Sequence, residues 1–223
     1  MSFEMKLAGE RVSDGRLFMP ARGLWSANVH LDTPKALAAG SSVVLTLGDL
    51  SLTGAVVSGG TYAETARYLV AAGAGGWRKQ VPARAYRVDA GAKLSVVLRD
   101  LAQAVGETWL SGYGPGFVER SLDYCLARAR ETAAAVLHRL IGRAWYIADD
   151  GKTVMGDRTT SSRATAEVLN ADLSVGAVRL ATDTPSKVRP GQTVQVGTSS
   201  RVLETVEAIT GRGGVWLKGW VAR

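Results

Sequence analysis

The chain has 223 residues, 46% of them apolar, enough to bury one large core or two to three small ones. Its 27 basic and 20 acidic residues leave a charge of +7, and one cysteine with two histidines excludes an intramolecular disulfide and a cysteine zinc cluster and argues against a histidine-based triad or zinc site. No apolar run approaches the roughly 18–20 residues of a membrane span. Met1-Ser2-Phe3-Glu4 lacks the basic-then-apolar pattern of a signal peptide, so a soluble protein made in a cytoplasm-like compartment is expected.

The first 75 residues read as short strands and turns. Residues 3–7 alternate with period two, and Ser13-Asp14-Gly15-Arg16 signals a tight turn before Leu17-Phe18-Met19. Residues 24–31 alternate again, with Trp25, Ala27, Val29 and Leu31 on one face. His30 falls on the other beside Asn28, where a solvent-facing side chain is expected rather than a ligand. Residues 43–47 and 50–57 flank Gly48-Asp49, a two-residue hairpin loop, and a further strand is expected over 61–70. Gly54 and Gly59-Gly60 mark the bulges or bends that small barrels need at corners. Six short strands in this stretch predict a small closed or half-closed barrel.

After Gly73-Ala74-Gly75-Gly76-Trp77 the register changes. Residues 77–86 read as a strand or bracing segment interrupted by Pro82. Asp89 is placed as the N-cap of a helix running to Val105, whose Leu94, Val97, Leu98, Leu101, Ala102 and Val105 share one face and which Gly106 stops. Gly112-Tyr113-Gly114-Pro115-Gly116 predicts a loop. Cys125 reads as a small buried hydrophobe. A second helix over 130–141 turns Ala133, Val136, Leu137, Leu140 and Ile141 inward and His138 and Arg139 outward. Residues 144–147 and 152–155 then flank Asp149-Asp150-Gly151, a hairpin whose aspartates are turn formers rather than metal ligands.

From Thr159 the chain returns to strand, with Val178-Arg179-Leu180-Ala181, a turn at Pro190-Gly191, and strands over 193–196, 202–206 and 215–221. The fold class is mainly β (α+β). An N-terminal β module (1–75) and a C-terminal partial barrel or sandwich (159–223) flank an α/β insert (76–158). Charge follows this division: residues 1–75 are neutral, 76–146 carry eleven basic and six acidic residues, and 147–223 carry ten and eight. A solvated arginine-rich helix face accounts for the excess, as would an acidic neighbour, an anionic surface or nucleic acid.

Chemistry leaves few marks. The glycine run lacks the Lys-Ser/Thr of a phosphate-binding loop, and there is no nucleophile elbow. No catalytic, metal or cofactor residues are assigned, although scattered Asp and Glu leave a carboxylate pair for glycoside chemistry open.

The helix with Lys93-Leu94-Ser95-Val96-Val97-Leu98-Arg99-Asp100-Leu101-Ala102, the helix with Ala135-Val136-Leu137-His138-Arg139-Leu140 and the hairpin Trp145-Tyr146-Ile147-Ala148-Asp149-Asp150-Gly151-Lys152 follow a β segment in an order that resembles the baseplate hub (tail hub) proteins of long-tailed bacteriophages. Gly23-Leu24-Trp25-Ser26-Ala27-Asn28-Val29-His30-Leu31-Asp32, the glycine run and Val188-Arg189-Pro190-Gly191-Gln192-Thr193-Val194 look like further parts of such hubs. The resemblance implies two tail-tube-like β barrels or half-barrels joined by the insert. It implies a homotrimeric ring of pseudo-sixfold symmetry that adapts the tail tube to a spike or fibre. The tail tube or distal tail protein and a spike or fibre protein are then partners, with genomic DNA only in transit through the lumen. The place of work is the virion tail tip after assembly in the host cytoplasm, without catalysis. The chain is short for a hub with every domain, so an extra spike-binding domain would be missing or sit on another protein.

Trp216, Lys218 and Trp220 share one face of the last strand and are interface candidates, as are Arg130 and Arg139 on the outer face of the second helix. Two other functions stay open. One is a carbohydrate or cell-wall binding module using Trp25, Trp77, Trp109, Trp216 and Trp220. The other is a glycan- or peptide-cleaving enzyme with an Asp/Glu pair in a cleft.

Overall fold

The computed structural model describes residues 3–86, 90–122, 125–126, 131–142, 144–158, 162–211 and 214–221, without the side chains of 110–112 and 125–126. The first six strands are β1 (Met5–Leu7), β2 (Glu10–Pro20), β3 (Ser26–Leu31), β4 (Ser42–Leu47), β5 (Leu50–Tyr62) and β6 (Thr65–Ala72). They pair antiparallel in the order β1-β4-β5-β6-β3-β2, and β1 also pairs with β2, which closes the barrel. Period-two alternation supplies its core: Leu17 and Met19, Ala27, Val29 and Leu31, Val43, Leu45 and Leu47, and Leu50 and Leu52 all point inward and are buried.

One expected turn and one expected strand differ from the reading. The chain does not reverse at Ser13-Asp14-Gly15-Arg16; β2 runs through it with a bulge between Val12 and Asp14. Reversal comes at Ala8-Gly9, between the paired Leu7 and Glu10. Gly15 answers a close approach instead, since a Cβ there would lie 2.8 Å from Val12 Cγ1 and 3.1 Å from the Asn28 carbonyl oxygen. The strand expected over 61–70 is divided in the same way. Tyr62 pairs with Thr65, and Ala63 turns the chain with φ at 51°, a conformation its side chain does not advertise.

The insert carries α1 (Leu94–Val105) and α2 (Ala133–Ile141) among the short strands β7 (Ala85–Tyr86), β8 (Ala92–Lys93), β9 (Trp109–Tyr113), β10 (Ser121–Leu122), β11 (Cys125–Leu126), β12 (Trp145–Ile147) and β13 (Thr153–Met155). The six apolar residues predicted for α1 are buried, and Gly106 in the left-handed region ends it. The helix starts at Leu94, later than expected; Asp89 lies outside the described residues. For α2, Thr132 is the cap, its hydroxyl accepting from Ala135 N at 3.3 Å. The loop predicted over 112–116 begins later, because β9 continues through Tyr113 to pair with β13. The hairpin at Asp149-Asp150-Gly151 is as expected: Ile147 pairs with Thr153, and Asp150 accepts from Lys152 N at 3.0 Å. The backbone of Cys125 lies in β11, and its side chain is outside the description.

The last segment forms β14 (Glu167–Asp172), β15 (Ala177–Ala181), β16 (Thr193–Val196), β17 (Ser199–Gly211) and β18 (Gly214–Val221). Here β17 pairs with β2 from Thr205↔Pro20 to Thr210↔Gly15, and the sheet continues β17-β18-β15-β14, antiparallel throughout. The sequence reading passed over β14, most of whose side chains are exposed.

The two β modules repeat one topology. The first runs β5-β6-β3-β2 across the sheet, and the second runs β17-β18-β15-β14, the same arrangement of two hairpins. In both, a shorter strand (β4, β16) forms a hairpin with the start of the longest one, through Leu47↔Leu50 and Val196↔Ser199. The long hairpins close alike, at Tyr62↔Thr65 and Gly211↔Gly214. The β2–β17 pairing is therefore a joint between the last strand of one repeat and the first strand of the other.

Candidate assembly surface

One face of the eight strands from β5 to β14 packs on the cores of the two modules, and the other is open except where Ala71 on β6 and Ala55 on β5, in line with Ser26, are buried. Cross-strand registers lay its residues out in rows. Asn28, Arg16, Ile209 and Trp216 form one row across β3, β2, β17 and β18. Ser26, Phe18, Glu207, Lys218, Arg179 and Asn170 form the next, reaching β14. A third contains Pro20, Thr205, Trp220, Ala177 and Asp172.

Trp216, Lys218 and Trp220 thus stand on the open face in three successive rows. Trp216 is 36% exposed and Phe18 40%. Lys218 Nζ lies 4.1 Å from the Trp220 ring centroid, a cation–π contact that holds the lysine along the sheet. Glu207 is the unusual member: its side chain is 1% exposed, and its carboxylate pairs with Arg16 Nε, which crosses the joint between the repeats. That pairing raises the pKa of Arg16 above its ordinary value. Further along, Asp14, His30 and Arg67 stand side by side on β2, β3 and β6, so the face carries charges of both signs.

Arg139 and the remaining tryptophans do not join this face. Arg139 is on α2 and pairs with Glu131 at 3.4 Å, and Arg130 lies outside the described residues. His138 lines an open cleft of 490 Å³ with Arg22, Trp145 and Glu204. The tryptophans proposed for sugar binding are scattered. Trp25 and Trp77 are buried, the latter donating from Nε1 to Thr153 Oγ1 at 2.8 Å, and Trp109 belongs to the insert.

A structural residue that the sequence reading missed is Glu107, directly after the glycine that ends α1. Its buried carboxylate accepts from the backbone N–H groups of Ala74, Gly76 and Trp77, at 3.1, 2.5 and 3.4 Å. Burial pushes its pKa up, while the three N–H groups and Lys79 pull it down by less. The glycine run therefore cradles an internal carboxylate where a phosphate loop would hold a ligand. A Cβ at Gly73 or Gly76 would come within 2.6 or 2.9 Å of the Glu107 side chain. Glycines thirty residues ahead of a lone glutamate were the only signal.

Contacts between side chains also tie the C-terminal module to the rest. Arg189 pairs with Asp149 in the insert hairpin, and Asp49 in the β4–β5 turn accepts from Ser186 N at 2.9 Å and from its hydroxyl. Among the described residues no three His, Cys, Asp or Glu side chains gather as metal ligands, and no helix is long and apolar enough to cross a membrane.

No protein-family model matches the chain, and no curated protein does. Solved structures do match. A tail protein of prophage MuSo2 from Shewanella oneidensis superposes with a TM-score of 0.72 at 10% identity, over 100% of this chain and 98% of the other. A tail protein from Neisseria meningitidis MC58 gives 0.65 at 12% identity, over 100% and 97%. An Escherichia coli component of the type VI secretion system, itself described as similar to bacteriophage T4 tail proteins, gives 0.64 at 8%, over 98% and 76%. At these identities the likeness is one of fold, and it spans the chain from end to end: the fold is the β-rich fold of phage tail proteins.

Proposed function

We propose that this protein is a structural component of a phage tail, a baseplate hub that forms a ring between the tail tube and a spike or fibre, with no catalytic step of its own. The observation that carries the reading is the repeated β module: two copies of one topology, joined edge to edge in a single sheet. Three such chains supply six modules, which matches a hexameric tube on one side and a trimeric spike on the other. The fold likeness to tail proteins along the whole chain supports the same reading.

The open face is assigned to the channel. Both cores and the closing strands β1, β4 and β16 lie on the opposite side of the sheet, and a ring has more room for bulk on its outer circumference. Trp216, Lys218 and Trp220 then line the channel with Arg16, Arg179 and Glu207. Such a mixed surface suits passage of genomic DNA rather than its capture. The insert, with Arg139 and Arg130, is left to face tail partners, and the module boundaries near residues 75 and 159 separate it from the ring. Location at the virion tail tip, after assembly in the host cytoplasm, follows from this role.

Light scattering over a range of concentrations tests the reading, with a mass of three chains expected. A chain that stays monomeric and binds cell-wall glycans in titration would replace the hub with the carbohydrate-binding function.

A further inference from the structure

Where the insert meets the two β modules, two arginines share one carboxylate. Arg158, shortly after β13, lies over the Tyr146 ring, with Cζ 4.1 Å from the centroid. Arg189, in the turn before β16, pairs with Asp149 of the insert hairpin. Burial lowers the pKa of Arg158; Tyr146 opposes this, the charge of Arg189 adds to it, and Asp149 opposes it, so Arg158 feels both members of that pair. We propose that this junction is an oxyanion-binding site, which takes a carboxylate or phosphate group from outside the chain between the guanidinium groups of Arg158 and Arg189. It lies apart from the open face of the sheet and does not depend on the ring reading.

Hydrogen bonding carries the inference. A guanidinium has five N–H donors and stays charged in a protein. Arg158 gives one of them, from Nη2, to the Ile147 carbonyl oxygen at 3.2 Å. Its Nε is buried and has no acceptor among the described residues. The Arg189 side chain is only 15% exposed, yet its Nη1 meets the thioether sulfur of Met19 at 3.5 Å, a weak acceptor. Donors and charges withdrawn from water are costly to leave in this state, and folded proteins seldom do so without a partner.

The nearby carboxylates are committed elsewhere. Asp157 pairs with Arg22 at 3.2 Å, and Asp150 with Lys152 at 2.9 Å. Among the described residues, two guanidinium charges therefore face the single carboxylate of Asp149. Stacking on Tyr146 covers one face of the Arg158 guanidinium and leaves its donors, which lie in the plane, to a planar or tetrahedral oxyanion. The frame is already set: Ile147 N donates to the Gly23 carbonyl oxygen at 3.3 Å, Thr53 N to that of Asp149 at 2.8 Å, and Arg189 N to Gln192 Oε1 at 2.7 Å. Asp149 is 49% exposed, which gives the site a side open to solvent. A bound oxyanion would tie the insert to the second module beside the Arg189–Asp149 pair.

Thermal unfolding of the whole chain tests this, with inorganic phosphate, acetate and chloride as probes at matched ionic strength. Phosphate also stabilises proteins through exclusion from their surface, an effect that grows with concentration and does not saturate. A bound oxyanion gives a saturable rise instead, expected at about 3 °C or more by roughly 10 mM phosphate. Arg158→Met keeps an apolar stem on Tyr146 without the charge and is expected to lose that rise. Asp149→Asn removes the competing negative charge and is expected to tighten phosphate binding at least about fivefold, a readout of opposite sign should Arg158→Met fold poorly. Saturation by phosphate alone assigns a phosphate group and saturation by acetate as well assigns a carboxylate; either supports the site. Wild-type phosphate and acetate curves that coincide with chloride overturn it. So does a saturable rise that Arg158→Met retains, or one that weakens in Asp149→Asn.

Discussion

At the scale of single residues, the structure depends on a few close approaches. Gly54 sits where a Cβ would lie 2.5 Å from the Ala71 carbonyl oxygen and 2.6 Å from Trp25 Cη2, so Gly54→Ala forces backbone apart and is expected to lower stability by about 2–3 kcal/mol in chemical denaturation. Glu107→Ala leaves three N–H groups of the glycine run without their acceptor, an expected loss of about 3 kcal/mol or more by the same measurement. Its pH dependence has a definite sign. Because burial raises the folded-state pKa of Glu107, the folded protein holds this proton more tightly than the unfolded chain. The resulting stability is present below the unfolded value and is lost as pH rises through the raised one. Wild-type protein should therefore lose stability relative to Glu107→Gln as pH rises through that window. Thermal unfolding of both proteins at stepped pH measures the difference, and parallel curves would contradict it.

At the scale of elements, periodicity decided what could be read in advance. In α1 and α2 the apolar spacing identified the buried face, with only the terminal Ile141 left half-buried, because a helix packed on one side writes its environment into a 3.6-residue repeat. Strand β3 was equally plain through Trp25, Ala27, Val29 and Leu31. Turns were harder. Ser13-Asp14-Gly15 has turn composition yet lies within a bulged strand, and Ala63 turns the chain without any turn residue. Strand β14 was missed because a strand at an edge buries too little for alternation to be selected, and the buried Glu107 because its partners are backbone amides. The open face was half legible: Trp216, Lys218 and Trp220 could be placed together, but their neighbours Arg16, Phe18 and Arg179 come from strands far apart in sequence. The insert itself depends on Trp77, which is fully buried, donates to Thr153 and packs 5.8 Å from Trp145. Trp77→Ala is expected to cost about 3–5 kcal/mol and to open the insert to limited proteolysis before the barrel. Simultaneous cleavage of both would show that the insert and barrel unfold as one unit.

At the scale of the whole molecule, one architectural fact organises the rest: a single chain holds two modules of one topology and joins them through the pairing of β2 with β17. The contacts Arg189–Asp149 and Ser186–Asp49 brace the second module against the insert and the first module, so the curvature of a ring would be set within each protomer before assembly. Negative-stain electron microscopy of the purified protein tests this most directly. The account predicts ring-shaped particles with six lobes around a central channel, in threefold pairs of one larger and one smaller lobe. Particles without a channel, at concentrations where light scattering gives a stable mass, would contradict it.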